Sequence, residues 1–279
     1  MIIDFRVRPP MAGYLHTLMF SNVSRSVRMT LSLGMRPAPS AEQLSMPLFM
    51  QEMDEAGIVC GVLQGRAPNG VFGGVPVEDL RSIMHAYPGR FQGFCGIDSD
   101  DIPEALRTIE REVVRGDMTG VVLEPGITPC PMFADDRRLF PLYEYCSSKD
   151  IPMVVMAGGN AGPDVIFTEP VHIEHVASDF PRLHIIVSHG GWPWVQQILY
   201  VAYRWKNVYV APDMYLCNVP GWQDYVTAAN GYLQDRFLFS TAYPFLPLVE
   251  AVEQFVRLPF RREILSKLLY ENAASLLKM

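Results

Sequence analysis

Several things are scarce in this chain, and each scarcity excludes something. Lysine is confined to Lys149, Lys206, Lys267 and Lys278, so nineteen of the 23 basic residues are arginines; with 30 Asp and Glu the formal net charge is -7. That balance argues against a general binder of nucleic acid or of an anionic membrane surface, whose affinity comes from clustered positive charge. The five cysteines, Cys60, Cys95, Cys130, Cys146 and Cys217, are odd in number and contain no CxxC pair. A disulfide framework or a zinc site of ordinary spacing is therefore not expected, and a reducing cytoplasm is. The N-terminus, MIIDFRVRPP, has no apolar signal core. No apolar run approaches the ~20 residues needed to cross a bilayer, so no membrane partner is expected. There is no G-x-S-x-G elbow and no P-loop, and Val7-Arg8-Pro9-Pro10 stands where a dinucleotide fold would place a Gly-rich turn. No linker, charge block or short repeat divides the chain, so residues 1–279 are read as one domain. Histidines number only six.

What is present is apolar and regularly spaced. Hydrophobic residues make up 49% and charged residues 19%, and a chain of this size buries roughly three-quarters of its unfolded surface. Short β-rich runs alternate with amphipathic stretches, the mark of β/α units. Strands are expected at Ile2–Val7, Ile58–Gln64, Phe91–Ile97, Gly120–Glu124, Met153–Met156, His184–Ser188, Asn207–Ala211 and Phe237–Ser240. Several are continuous apolar runs, as for strands covered on both faces. Helical patterns lie between them, with two more after the last. Eight such units fit an α/β fold, a single-domain (β/α)8 TIM barrel, better than an open doubly wound sheet. The first βα connection, about residues 9–40, is a long loop by the usual ~2–6 residue standard. Its Met and aromatic content suits either an apolar lid over the mouth or a packing insertion or dimer contact.

The stretch FPRLHIIVSHGGWPWVQQILYVAYRWKNVYV, Phe180 to Val210, resembles the sixth and seventh strand region of the amidohydrolase-related family that includes the aminocarboxymuconate-semialdehyde-decarboxylase-like enzymes. MIIDFRVRPP resembles that family's first strand, SKDIPMVVMAGG its fifth, DRFLFSTAYPF its eighth and LLYENAASLLK its closing helix, so the likeness spans essentially the whole chain. The resemblance implies a TIM barrel and a divalent metal, usually zinc, held by a His-x-His pair on strand one, a His on strand five and an Asp on strand eight. A further His after strand six serves acid/base chemistry. At those positions this sequence has Arg6 and Arg8, Met156 and Ala242; the strand-six residue alone is kept, as His189. A guanidinium has no lone pair, and a thioether is a poor zinc ligand. No metal and no other cofactor is therefore expected at the usual position.

Arg6 and Arg8 are two apart on a strand and should share a face turned to the mouth. Two cations there are costly unless something negative compensates. Either Glu124 and Asp213, at the ends of strands four and seven, neutralise them, or they hold a small anion as guanidinium groups grip a carboxylate or phosphate. Arg66 adds a third cation. His189, before Gly190-Gly191, is a candidate general acid or base, with Glu124 or Asp213 orienting it or acting as base. Tyr243, beside Ala242, either donates a hydrogen bond to a ligand or only packs. His172 and His175 read as a solvated helix face; His16 lies in the first connection. Cys217 follows strand seven with no evident base.

Three readings remain open. One is a metal-independent hydrolase or lyase, a decarboxylase included, on a small carboxylated substrate: His189, Glu124 and Asp213 catalyse, and Arg6, Arg8, Arg66 and Tyr243 bind. Another is an inactive barrel retained as a small-anion-binding or assembly protein. The third places a relocated metal on Glu124, His189 and Asp213. A small anionic molecule is the expected partner, and a homo-oligomer is the ordinary prior for such a barrel.

Overall fold

The computed structural model describes residues 1–68 and 71–279. Seven parallel strands pair in sequence order: β1 (Ile2–Val7), β2 (Ile58–Gln64), β3 (Phe91–Ile97), β4 (Gly120–Leu123), β5 (Met153–Met156), β6 (Ile185–Ser188) and β7 (Val208–Ala211). Each lies within one residue of the expected run at either end. The reason is burial on both faces. Phe5, Val62, Phe94, Val122, Val154 and Ile186 meet inside the curled sheet. Their alternates Leu63, Cys95, Val121, Val155 and Val187 face the helices. That two-sided apolar demand is what the continuous hydrophobic runs encode.

The expected eighth strand is corrected. Residues 237–240 form a single bridge, Val210 to Phe237, and no ladder. Leu238 N–H donates to the Val210 carbonyl (3.0 Å) and Phe5 N–H to the Phe239 carbonyl (2.9 Å), so the segment touches both β7 and β1. The Phe239 N–H is spent elsewhere, on the Leu268 carbonyl at 3.2 Å, and that diverted donor interrupts the pairing. The fold is a TIM-barrel-like α/β domain with seven regular strands.

The first connection is also corrected in kind. Residues 9–40 are not an irregular loop: they hold α1 (Leu18–Ser21), α2 (Val23–Ser32) and the start of α3 (Pro39–Glu42), and the helix that follows is α4 (Met46–Glu55). Asn22 caps α2 by accepting from the Arg25 N–H, and Ser45 caps α4 through Leu48 N–H, the polar N-cap pattern that sets helix starts. The outer layer continues with α5 (Val77–Ala86), α6 (Ile102–Ile109), α7 (Phe140–Ser148), α8 (Pro170–Asp179), α9 (Val195–Arg204), α10 (Trp222–Ala229) and α11 (Leu248–Arg257). A closing helix, α12 (Asn272–Leu277), sends Ala273, Ala274, Leu276 and Leu277 into the inner cluster with Ile3 and Phe5. The base of the sheet is thereby filled. No helix among the described residues is long and apolar enough to cross a membrane.

One irregularity positions the site. On β1 the register steps from Asp4 opposite Gly61 to Val7 opposite Leu63, three residues against two. A bulge of one extra residue shifts side-chain parity. Phe5 packs inside against Phe94, and Arg6, the next residue, also turns inward to meet His189 and Met156.

Candidate active site

The C-terminal ends of the strands bring most of the sequence-predicted residues together. Arg6 NH1 lies 3.0 Å from His189 Nε2 and donates to Asp213 Oδ2 at 3.4 Å. Its NH2 reaches only the Met156 sulfur, at 3.8 Å, and its buried Nε has no partner among the described residues. His189 Nδ1 sits 2.9 and 2.8 Å from the two Asp213 oxygens. By strand alternation from Ile186, His189 would face the helices. It is turned to the mouth because its φ is +58° and that of Gly190 +57°; Asp213 (φ +46°) and Ala242 (φ +50°) are likewise left-handed. Such conformations cost of order 1–3 kcal/mol at a non-glycine residue and gather at functional sites.

Arg8 and Arg66 are partnered differently from one another. Arg8 NH1 donates to the Ala242 and Tyr243 carbonyls (2.8 and 3.0 Å), and the Phe245 ring lies 5.6 Å from its guanidinium carbon. No carboxylate pairs with Arg8 among the described residues. Burial, helped by the neighbouring charges of Arg6 and Arg66, pulls its pKa down to about 9. Glu124 goes instead to Arg66, with Oε2 3.0 Å from NH2, though the approach is too oblique for a hydrogen bond. Phe72 lies over Arg66 at 5.3 Å. The Arg66 backbone is seated against Gly96, where any Cβ would fall 2.4 Å from its N, Cα and C atoms.

These groups open into a cavity of about 60 Å³. At about 10–15 Å³ for each water position, that is room for a small ligand. Arg6, Arg8, Arg66 and His189 line it, and Leu18, Met19, Met156, Met214, Tyr215 and Phe245 form apolar walls. Tyr215 meets His189 edge-on at 5.3 Å and stacks on Trp192. Glu124 and Asp213 stand behind their arginines and do not line it. A fourth guanidinium, Arg25, also lines the cavity. Sequence reasoning missed it, because an unaligned arginine on a surface-like helix gives no sign of which way the helix is turned.

Among the described residues, His189 is the imidazole in the lining. Burial, with Arg6 adding to it against the pull of Asp213, holds its pKa down to about 4, so it is neutral at pH 7. With Asp213 accepting at Nδ1, the Nδ1–H tautomer is the one this pairing supports. Nε2 is then the acceptor, and Arg6 donates to it.

Other expectations separate from the site. Tyr243 does not line the cavity: its ring packs against Phe49 and its hydroxyl lies 2.6 Å from Ser40 Oγ, so its contribution at the mouth is a carbonyl for Arg8. Cys217 is buried, with its pKa pushed up to about 12 by burial. His16 is exposed. His172 and His175 are not a free solvated pair, since both Nδ1 atoms converge on the Asp135 carboxylate at 2.8 and 2.6 Å.

The donor set does not fit a divalent metal. Among the described residues no three His, Cys, Asp or Glu side chains are placed to hold one. Glu124 is turned to Arg66 on one side while His189 and Asp213 pair on the other, which weighs against the alternative of a relocated site on those three.

A TIM-barrel-like domain with a buried arginine cluster and a His–Asp pair at its strand ends is the class these features define. A model of the amidohydrolase family matches residues 40–279, and the chain belongs to that family. Membership makes it an enzyme. An uncharacterized TIM-barrel protein of Bordetella bronchiseptica is 46% identical over 99% of this chain and 98% of its own, with a TM-score of 0.95. The 5-carboxyvanillate decarboxylase of Sphingomonas paucimobilis (18% identity, 100% and 99% covered, TM-score 0.66) and the 2,6-dihydroxybenzoate decarboxylase of Rhizobium (16%, 99% and 98%, 0.64) share the fold. No curated protein matches the chain.

Proposed function

We propose that this protein is a metal-independent lyase or hydrolase, with decarboxylation the favoured reaction, acting on a small carboxylate held by the mouth arginines. The observation that carries the reading is the make-up of the cavity lining among the described residues: four arginines, one neutral histidine and no carboxylate. Arginine presents parallel N–H donors that match a carboxylate, and Arg8 and Arg66 are buried, where each such bond is strongest. Arginines at the first-strand positions repel a cation and have no lone pair to offer it. Two of the fold relatives named above are decarboxylases of carboxylated aromatics, which weighs toward the lyase reading.

His189 moves the proton. Asp213 keeps the Nδ1–H and steadies the ring when Nε2 gains a charge. An anion that engages Arg6 competes for its NH1 and leaves Nε2 open. In the lyase reaction Nε2 takes a proton from a ligand hydroxyl and returns it to the carbon from which carbon dioxide departs. In the hydrolytic reaction it takes a proton from water as the oxygen attacks an activated carbonyl. Preorganised guanidinium groups stabilise the charge that develops in either case. The cytoplasm is the compartment we assign, in keeping with five free cysteines.

The test is carbon dioxide release from a panel of small carboxylates by chelator-treated protein whose metal content has been measured. Turnover by metal-free wild type, lost in His189→Asn, supports the proposal. Turnover that requires added zinc or manganese sinks the metal-free part. Turnover that survives His189→Asn sinks the assignment of the base.

A further inference from the structure

The count of charges around the cavity says more than that an anion binds. Four guanidinium groups line it, from Arg6, Arg8, Arg25 and Arg66. Only two carboxylates pair with them among the described residues, Asp213 with Arg6 and Glu124 with Arg66. Arg8 and Arg25 are left without a negative partner, and they differ in position. Arg8 comes from β1 at the floor, pinned by the carbonyls of Ala242 and Tyr243. Arg25 comes from α2 in the first connection, is half-buried, and its side chain has no hydrogen-bond or ion-pair partner among the described residues. The unbalanced charge is therefore two, presented from two separate elements.

We infer that the ligand is a compact dianion whose two negative groups are met separately, one by Arg8 and Arg66 at the floor and the other by Arg25 from α2, which makes Arg25 the residue that distinguishes a dianion from a monoanion. The inference rests on the proposed anion-binding role of the mouth and goes further by fixing the charge and the second pole. A buried cation without a counter-charge, as Arg8 is, is costly in a low-dielectric site, and a half-buried one such as Arg25 less so, so a ligand that matches both groups gains at each end. A monoanion satisfies the floor and leaves Arg25 as it was. The cavity size favours a short spacing between the two groups. The same chemistry is offered by a dicarboxylate or by a phosphate dianion, and the two are separated by experiment.

Binding is measured by calorimetry on the full chain at pH 7.5 with acetate, propionate, malonate, succinate and inorganic phosphate. The expected result is at least tenfold tighter binding of malonate or succinate than of the matched monocarboxylate. Phosphate binding as tightly as the dicarboxylates identifies a phosphate dianion as the source. Arg25→Ala should bring dianion affinity to within threefold of the monoanion, while Arg25→Lys retains part of the preference. Because the Arg25 side chain holds nothing else in place, its variants should melt as wild type does. Equal affinity for mono- and dianions in wild type, with binding still dependent on Arg8, overturns the dianion inference and leaves the anion site standing. A preference that survives Arg25→Ala overturns the role of Arg25. Absence of binding by every probe overturns both.

Discussion

Two buried arginine environments in this molecule use the same side chain for opposite ends. Arg236 sits near the start of the closing segment, and its NH1 donates to the carbonyls of Ala202 (2.9 Å), Val208 (2.8 Å) and Trp205 (3.3 Å), while NH2 donates to Tyr232 (3.2 Å). Those carbonyls include the end of α9 and the start of β7, so a single guanidinium ties a helix terminus to a strand. At the mouth, Arg6 shares one nitrogen between two acceptors and has an orphaned Nε, and the Nε of Arg66 is orphaned among the described residues. The burial is similar and the satisfaction is not. A guanidinium whose hydrogen bonds the protein completes is a structural fastener; one left short of acceptors beside a cavity is, on the function proposed above, a binding group.

The largest test of that contrast is a pair of methionine substitutions. Arg236→Met strands several buried carbonyls and should cost about 3 kcal/mol or more of unfolding free energy. Arg8→Met strands two carbonyls, those of Ala242 and Tyr243, against the four that Arg236 holds, and it relieves a charge crowded by two other arginines, so it should cost about 1 kcal/mol or less. Urea denaturation of both variants decides it; equal losses would erase the distinction. Anion binding should behave oppositely, vanishing in Arg8→Met.

Gly96→Ala probes the same boundary from the backbone. The added methyl meets the Arg66 main chain, so Arg66 must shift. A loss of about 1–3 kcal/mol in stability, as for overpacking, should come with at least tenfold weaker anion binding. Normal binding in a destabilised variant would show that the place of Arg66 does not matter.

The pH dependence of stability gives the smallest effect in wild type and a larger one in its variants. Asp4 accepts from the N–H groups of Arg6 and Thr241 and from the Thr241 hydroxyl, and burial nonetheless raises its pKa to about 7. Stability from Asp4 is therefore full below its ordinary value and is lost as pH rises through about 7. His189, lowered to about 4, contributes stability that is full above its ordinary 6.5 and is lost as pH falls through about 4. Across pH 4–6.5 the two slopes oppose and wild-type stability should be nearly level. Asp4→Asn removes one slope, so stability should fall on the order of 3 kcal/mol on acidification over that window; His189→Asn should show the reverse sign. Thermal melts at several pH values read both, and a level profile in Asp4→Asn would refute the opposition.

How much of this was legible beforehand follows from what each feature needs. Strands such as Met153–Met156 were readable because two-sided burial writes itself as an unbroken apolar run. The segment 237–240 carries the same signal, yet its pairing depends on where the Phe239 N–H finds an acceptor, a tertiary fact. Arg6, Arg8, Arg66, His189, Glu124 and Asp213 were reachable from strand ends and from the family resemblance. Their pairing was not: Glu124 meets Arg66 and not Arg8, and nothing in spacing tells which. Of the two roles open to Tyr243, packing is the one seen, because its left-handed neighbour Ala242 turns the chain, sending the ring to Phe49 and the hydroxyl to Ser40. The bulge on β1, which lets Phe5 and Arg6 both point inward, leaves no mark in MIIDFRVRPP.

The plug of Ala273, Ala274, Leu276 and Leu277 beneath the inner cluster has a kinetic consequence. With its far end filled by close-packed side chains, the strand cylinder is a blind tube. On the function proposed above, a ligand that enters at the strand ends also leaves at the strand ends. Product and substrate then compete for one doorway and one set of arginines. Any product that keeps its anionic group should act as a competitive inhibitor, and turnover should be paced by its departure as much as by bond cleavage.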